Sequence, residues 1–282
     1  MPDFSNVQDP IIARAIVTAF FLAGGALGSF LNVCFWRIPR GESVVFTPSH
    51  CTHCNRKIRW FDNLPIVSYL VLRGRCRYCR TPYSARYFFV ETIAAALFAA
   101  FASTVLILRT TPYEMLFPGC AALLFAVAIA GFDFLYRVIP GCVSFSALGA
   151  GVLLSGCFPQ IQSGENFLSG ALFALIAAAL FGAVLALYRK LGRLTSRKEI
   201  LGGGDVKAVA ATAALLGWQG AFFALLAAAL SGTAFGIAVA AFKRRNPGKT
   251  RIAFGVFIAS GIALWCFGRS WIVDFSFFQC LR

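Results

Sequence analysis

Long apolar runs, separated by short polar or basic connections, dominate the chain. A helix that crosses the hydrocarbon core of a bilayer needs about 20 mostly apolar residues, and eight stretches approach that length. They are residues 11–33, 87–108, 113–133, 139–158, 167–188, 205–218, 220–242 and 252–273. The sixth stretch is short and rich in alanine. The pattern predicts an all-α polytopic membrane protein with about eight transmembrane helices.

The composition agrees with this interpretation. Of the 282 residues, 59% are hydrophobic and 13% are charged, whereas a soluble domain is about 45–50% apolar and about 25% charged. A soluble single domain, a disordered chain and a disulfide-stapled secreted domain are therefore excluded.

Basic residues are concentrated in three connections. Residues 34–86 hold ten Lys or Arg, and residues 189–200 and 243–251 hold five each, out of 26 in the chain. With eight spans, all three connections fall on the same side, and the positive-inside rule makes that side cytoplasmic. The net charge of +15 is thus explained by topology and contact with anionic lipid, without a nucleic acid partner.

Four of the ten cysteines form two close pairs in the first basic connection. Cys51 and Cys54, and then Cys76 and Cys79, give two C-x2-C motifs with 21 residues between them. This spacing is typical of a tetrahedral zinc site of four thiolates. Two disulfides are the alternative, which a reducing cytoplasm disfavours. The predicted role is structural, because four thiolates leave no open coordination position.

Two histidines in the same connection offer another ligand choice. His50 and His53 flank the first cysteine pair. We expect both side chains to be solvated rather than to bind the metal.

Two acidic residues stand at span ends that face the cytoplasm. Asp133 ends the third span, and Asp205 opens the sixth after Gly202, Gly203 and Gly204. A carboxylate at membrane depth normally faces the bundle interior or a water-filled cavity. Two such groups at matched depth can share a proton, so that one activates water while the other polarises a scissile carbonyl. The glycines would let a substrate backbone come close.

Each aspartate also has a structural interpretation. Asp133 stands one helical turn before Arg137 and can pair with it. Asp205 can be the N-cap of the sixth helix, since Gly-Asp before an apolar run is an ordinary start signal. The matched depth favours the catalytic interpretation of the pair.

The order of these motifs resembles the type IV prepilin peptidases, also called leader peptidase/N-methyltransferases. The resemblance covers nearly the whole chain. It rests on residues 28–33, 63–70, 72–77, 84–87 and 90–91, on Asp133, and on the Gly-x-Gly-Asp motif within residues 202–207. The family implies intramembrane aspartic cleavage of prepilins or pseudopilins after a glycine, at the cytoplasmic face of the bacterial inner membrane.

The resemblance also implies methylation of the new N-terminal amine with S-adenosylmethionine. No glycine-rich fingerprint in the loops marks a methyl-donor site. Arg86, Glu91 and the cysteine loop are the places where we expect it, and a Glu–Arg pair that anchors the second helix is the structural alternative for Arg86 and Glu91.

Three positions depart from the family pattern. Gly141 replaces a common acid, and Ala253 and Val256 replace prolines around Phe-Gly. We expect these positions to shape helix ends and substrate fit rather than to supply chemistry.

The predicted organisation has three parts: a first transmembrane helix (1–33), a cytoplasmic zinc-binding loop domain (34–86) and a membrane domain with the peptidase site (87–282). Two other functions compete with peptidase activity. One is a proton- or cation-coupled transporter that uses Asp133 and Asp205 as a relay, and the other is a non-catalytic scaffold whose zinc loop docks a cytoplasmic partner.

Overall fold

A computed structural model describes residues 9–196, 201–243 and 253–274. Most of these residues are helical, and among them no strand occurs beyond isolated bridges in the cysteine loop. Residues 197–200 and 244–252, which include six of the basic residues counted above and Glu199, lie outside the described residues. The chain divides at residue 107 into two compact units, here called unit 1 and unit 2.

Unit 1 is built on two long helices, α1 (Pro10–Arg37) and α3 (Arg86–Leu106). Asp9 caps α1, because its carboxylate accepts the Ile11 N–H at 2.8 Å, and Pro10 suits the first helical position. The two helices pack closely through glycines of α1. A Cβ on Gly24 would lie 2.6 Å from the Ala94 carbonyl oxygen, so only glycine permits this approach.

The cysteine loop connects α1 to α3 and contains one short helix, α2 (Val67–Val71). It is too small to bury a large core of its own. Its order comes from two turns around the cysteine pairs and from hydrogen bonds to the ends of α1 and α3.

The described residues of unit 2 form five α-helices. They are α4 (Leu116–Tyr136), α5 (Gly141–Cys157), α6 (Phe167–Ser196), α7 (Gly203–Lys243) and α8 (Phe254–Asp274). Alanine-rich faces of α6 and α7 pack together, with Ala174 and Ala214 both fully buried. Leucine and phenylalanine side chains remain exposed along α6, as expected for a surface in contact with lipid.

The helix α7 is two segments that reverse direction at Gly217, where φ is 79° and ψ is 172°. Asp205, in its first turn, interacts with Asp133. Phe235, thirty residues later, contacts Phe257 with ring centroids 5.6 Å apart, close to Gly255, whose N–H also reaches Asp133. A straight stretch of 30 residues would span about 45 Å, so the chain must turn back.

The helices occupy all eight predicted stretches, and the predicted fold class is confirmed. Six helices of the described residues meet the length and hydropathy required of a membrane span. The fourth predicted stretch is a shorter apolar helix of 17 residues. The sixth and seventh predicted stretches are the two segments of α7, and the boundary between them falls at the Gly217 reversal.

Candidate active site and metal centre

Asp133 lies at the end of α4 and is nearly buried, with 7% of its surface exposed. Its carboxylate accepts the Gly255 N–H at 2.6 Å and a second hydrogen bond from the Val256 N–H. These amides open α8, so the carboxylate sits at the positive end of that helix. Arg137 adds an electrostatic attraction, so the predicted interaction with Arg137 is present but is not the main support of Asp133.

Asp205 is the third residue of α7 rather than its N-cap, because the helix begins at Gly203. Its carboxylate reaches back to the Gly202 N–H, as the third residue of a helix does in a capping box. Asp205 is also near enough to Asp133 for the two carboxylates to repel each other electrostatically. Two acids that are 72 positions apart in the chain therefore meet in one place.

Glycines allow the helix ends to converge on Ile139, which lies between α4 and α5. A Cβ on Gly204 would lie 3.0 Å from the Ile139 Cβ, and one on Gly255 would lie 2.9 Å from the Asp133 Oδ2. Larger residues would push α7 and α8 away from the aspartates. The glycines thus let the protein pack against itself, and their approach to a substrate backbone stays a prediction.

Other predicted positions surround this pair. A Cβ on Gly203 would lie 2.7 Å from Nη1 of Arg189 on α6. Lys207 lies over the Phe145 ring, 5.2 Å from its centroid, and its Nζ is 3.4 Å from where a Cβ on Gly141 would stand. The lack of a side chain at Gly141 thus leaves room for the Lys207 ammonium.

The sequence pattern did not reveal the role of Gly255 as a hydrogen-bond donor to Asp133. We expected the segment around it to shape a helix end, yet its backbone N–H directly holds a candidate catalytic carboxylate. The Phe-Gly pair after a basic connection was the available signal, and it did not specify which partner the amide would find.

The four predicted cysteines form one cluster in unit 1. Their sulfur atoms all lie within 4.8 Å of one another, and the Cys51 and Cys79 sulfurs are 3.7 Å apart. Four sulfurs bound tetrahedrally at about 2.3 Å from a zinc ion lie about 3.8 Å from one another. The donor set and its spacing therefore fit a metal ion, and the four cysteines are not joined as disulfides.

Two similar turns present these cysteines. A bridge joins His50 to Lys57 around the first pair, and another joins Arg75 to Pro82 around the second. The Cys51 N–H bonds to the Arg56 carbonyl at 2.9 Å, and the Cys76 N–H bonds to the Thr81 carbonyl at 2.9 Å. Neither His50 nor His53 belongs to the sulfur cluster, as expected.

The surroundings of the cluster favour the thiolate at two of its cysteines, Cys76 and Cys79. At Cys54, a hydrogen bond from the Arg56 backbone acts to lower the pKa, but burial and the other three thiols outweigh it and raise the pKa to about 11. Burial acts to raise the pKa of Cys76, but hydrogen bonds from the backbone of Cys79 and Tyr78 outweigh it and lower the pKa to about 6. Hydrogen bonds with Thr81 lower the pKa of Cys79. Thiolate is the form that binds a metal.

A bidentate ion pair braces the loop beside the cluster. Arg77 donates to Asp62 from Nε at 2.8 Å and from Nη2 at 2.5 Å. These hydrogen bonds lower the pKa of the Asp62 carboxyl below its usual value. The pair ties the second cysteine turn to the segment between the two turns.

Arg86 and Glu91 do not form the pair given as their structural alternative. Glu91 is buried on α3 and accepts the Ile66 N–H at 2.7 Å, together with a hydrogen bond from Ser29. The Arg86 guanidinium lies 5.5 Å from the centroid of the Tyr87 ring. Five positions apart on a helix, the two side chains point in different directions.

Comparisons with known proteins match both units. Residues 22–105 match the bacterial peptidase A24 N-terminal domain, and residues 120–237 match the type IV leader peptidase family. The prepilin leader peptidase/N-methyltransferase of Burkholderia pseudomallei strain 1026b is 31% identical over 94% of this chain and 92% of its own length. Proteins of the same name are 34% identical in Klebsiella pneumoniae, over 78% of this chain and 91% of theirs, and 32% identical in Aeromonas hydrophila, over 87% of each. No solved structure gives a significant match.

Proposed function

Since the chain belongs to the type IV leader peptidase family, we propose that it is an intramembrane aspartic endopeptidase for type IV prepilins or pseudopilins. It removes a short basic leader on the cytoplasmic side and cleaves after a glycine. The names of its relatives support the prepilin substrate. The observation that supports the aspartic mechanism is that Asp133 and Asp205 lie near enough to interact electrostatically.

In the proposed reaction, a water molecule between Asp133 and Asp205 is the nucleophile. One carboxylate takes a proton from the water while the water oxygen forms a bond to the scissile carbonyl carbon. The other carboxyl group, which is protonated, donates a hydrogen bond to the carbonyl oxygen. The tetrahedral intermediate then breaks its C–N bond, and the leaving amine takes a proton from a carboxyl group. The Gly255 N–H keeps Asp133 oriented throughout.

The metal of the cysteine cluster is proposed to be zinc in a structural role. Cys51, Cys54, Cys76 and Cys79 would hold it, and with four thiolate ligands it has no position left for a substrate or water. When bound, the ion supplies the cross-link that a small loop needs in order to fold.

We also propose that the protein methylates the amine that cleavage releases. The names of the relatives include an N-methyltransferase activity, and S-adenosylmethionine would supply an electrophilic methyl group. We propose that Arg86 and Glu91 support methylation indirectly, because both residues belong to α3 and help to shape unit 1.

The proposed location is the bacterial inner membrane, with the cysteine loop and the aspartates on the cytoplasmic side. The concentration of basic residues in three connections supports this orientation. We propose three parts with the predicted boundaries. Residues 1–33 anchor the chain, residues 34–86 fold around the metal, and residues 87–282 carry the peptidase site.

Two assays on the purified protein test the proposal against transport. A prepilin with a basic leader is incubated with the protein in detergent, and ion flux is followed in liposomes that contain the protein. We expect cleavage after the leader glycine and no flux. Flux without cleavage would favour the transporter, and neither activity would favour the scaffold.

A further inference from the structure

The two cysteine turns of unit 1 repeat each other in the backbone. The bridges that close them join residues 50 and 57 and residues 75 and 82, so equivalent positions are 25 residues apart. The residue after each cysteine pair has a positive φ, which is 54° at Asn55 and 58° at Arg80. The first pair (Cys51 and Cys54) and the second pair (Cys76 and Cys79) therefore differ through their neighbouring side chains rather than through the course of the chain.

The side chains that follow the two pairs are of different chemical types. Thr81 and Tyr83 follow the second pair, and each carries a hydroxyl group. The equivalent positions after the first pair hold Arg56 and Ile58, which carry none. The second pair thus has two hydroxyl groups at positions where the first pair has no counterpart.

Both hydroxyl groups bond to a cysteine sulfur. The Thr81 Oγ1 lies 3.3 Å from the Cys79 Sγ, and the Tyr83 side chain forms a hydrogen bond with Cys76. The backbone fixes Tyr83 in this place, because its N–H bonds to the Gly74 carbonyl at 2.6 Å. A thiolate that binds a metal carries no proton, so in the metal-loaded cluster the two hydroxyl groups are the donors.

Hydrogen bonds to sulfur have a clear effect in a site of this type. Four thiolates around one divalent ion leave an excess of negative charge, and a donor beside a sulfur draws part of that charge away. The donor also orients the ligand and makes the sulfur less reactive toward electrophiles. Loss of one such partner typically lowers metal affinity by about tenfold to a hundredfold.

We propose that Thr81 and Tyr83 are positioning residues of the metal centre, and that they make the second cysteine pair the side that retains the ion. The first pair is then the side from which the metal is lost. The inference rests on the proposed zinc site and adds which residues support that site and which of its two turns opens.

Variants that remove only a hydroxyl group test this role. The full-length, zinc-loaded protein in detergent is titrated with a chelator that competes for the ion. We expect Thr81→Val and Tyr83→Phe each to lose zinc at about a tenfold lower chelator concentration than the wild type, whereas Thr81→Ser keeps a hydroxyl and should retain zinc. Tyr78→Phe is the matched control, since the Tyr78 ring lies 5.0 Å from the Arg56 guanidinium. Equal retention of zinc in all five proteins would overturn the inference.

A spectroscopic measurement separates this role from a general effect on folding. Co²⁺ replaces zinc in each protein, and the sulfur-to-metal charge-transfer band then reports the electron density on the sulfurs. A sulfur that loses a hydrogen bond gives up an electron more easily, so the band should move to longer wavelength in Thr81→Val and Tyr83→Phe. It should stay in place in Tyr78→Phe. A band at the same wavelength in all of these proteins would contradict the proposed hydrogen bonds.

Alkylation of the wild-type protein tests which pair opens and needs no variant. Cys54 and Cys79 are equivalent in the two turns and are both half-buried. The zinc-loaded protein is treated with a limiting amount of N-ethylmaleimide, and mass spectrometry quantifies the modified peptides. We expect Cys54 to react severalfold faster than Cys79, and Thr81→Val to reduce the difference. Reaction of Cys79 as fast as Cys54, or faster, in the wild type would overturn the inference.

The zinc content of the wild-type protein separates this inference from the proposed metal site. If the protein binds one zinc ion per chain and the variants match it in every measurement, the zinc site stands and the role of the hydroxyl groups is rejected. If protein purified under reducing conditions contains no zinc, the zinc site and this inference fall together.

Discussion

The cysteine cluster of unit 1 and the aspartate pair of unit 2 are assembled in opposite ways. Each cysteine turn is local, and the bridge between residues 50 and 57 recurs between residues 75 and 82. The aspartates depend on the ends of α4, α7 and α8, which come together only when the helices pack. The first site is a property of two short segments whose cysteines could share a metal ion, whereas the second depends on how several helices of unit 2 pack.

The largest expected effect comes from the aspartates themselves. Asp133→Asn and Asp205→Asn should each lower the rate of prepilin cleavage by about a thousandfold, because an amide cannot act as the acid or base. Both variants should stay folded, with unchanged helical circular dichroism. Glu165→Gln, an exposed acid in the same unit, should cleave normally. Near-normal processing by either aspartate variant would remove the mechanism.

Loss of one thiolate should abolish metal binding. Cys51→Ser and Cys76→Ser each remove a buried ligand, and we expect zinc content, measured by mass spectrometry, to fall from about one ion per chain to near zero. The loop should then become sensitive to protease while unit 2 stays folded. Cys142→Ser, at an exposed cysteine outside the cluster, should keep its zinc. A wild-type protein that is purified under reducing conditions and contains no zinc would contradict the metal assignment.

A side chain at Gly255 should disturb the aspartate site without touching its carboxylates. In Gly255→Ala, the new Cβ would stand 2.9 Å from the Asp133 Oδ2, so α8 or the carboxylate must shift. We expect cleavage to fall about tenfold to a hundredfold, because catalysis is sensitive to displacements of about 1 Å. Gly149→Ala is the matched control, since nothing lies within 4 Å of its added Cβ. Equal rates in the two variants would show that the packing around Gly255 is not needed.

The smallest expected effect comes from replacing Gln162, which should change the free energy of unfolding but not the cleavage reaction. Because α7 breaks at Gly217, the carbonyls of Ala213 and Ala214 need other donors, and Gln162 Nε2 reaches them at 3.0 and 3.2 Å. Gln162→Leu should lower the free energy of unfolding by about 1–3 kcal/mol, seen as a lower thermal midpoint with cleavage retained at moderate temperature. Gln160→Leu, at an exposed position of the same turn, should change little. Equal midpoints for the two variants would show that the carbonyls find other partners.

The sequence alone predicted the helices and the cysteine cluster. Hydropathy identified the helices, because a bilayer imposes length and apolarity on each span regardless of its neighbours. Cysteine spacing identified the four cysteines that cluster, since both turns are complete within a few residues. It did not reveal that Asp62 would pair with Arg77, a contact that depends on how the loop folds back.

The structure differs from the structural alternatives given for Asp205 and for the Arg86–Glu91 pair. An N-cap role was the structural alternative for Asp205, but the helix starts two residues earlier, at Gly203. The Arg86–Glu91 pair was a local expectation, and the structure instead directs Glu91 to the Ile66 amide in the loop. For Glu91, a neighbour distant in the chain replaced the local partner, whereas Asp205 keeps a local partner in the Gly202 N–H.

By itself, the sequence determined which segments are helices, where positive charge concentrates, and which cysteines cluster. These features follow from the solvent around each segment or from chemistry within a few residues. Only the tertiary structure decided that Asp133 lies within electrostatic range of Asp205 and receives the Gly255 amide, that α7 turns back at Gly217, and that Glu91 accepts the Ile66 amide. Such contacts join positions far apart in the chain, and the close packing of helix ends selects them.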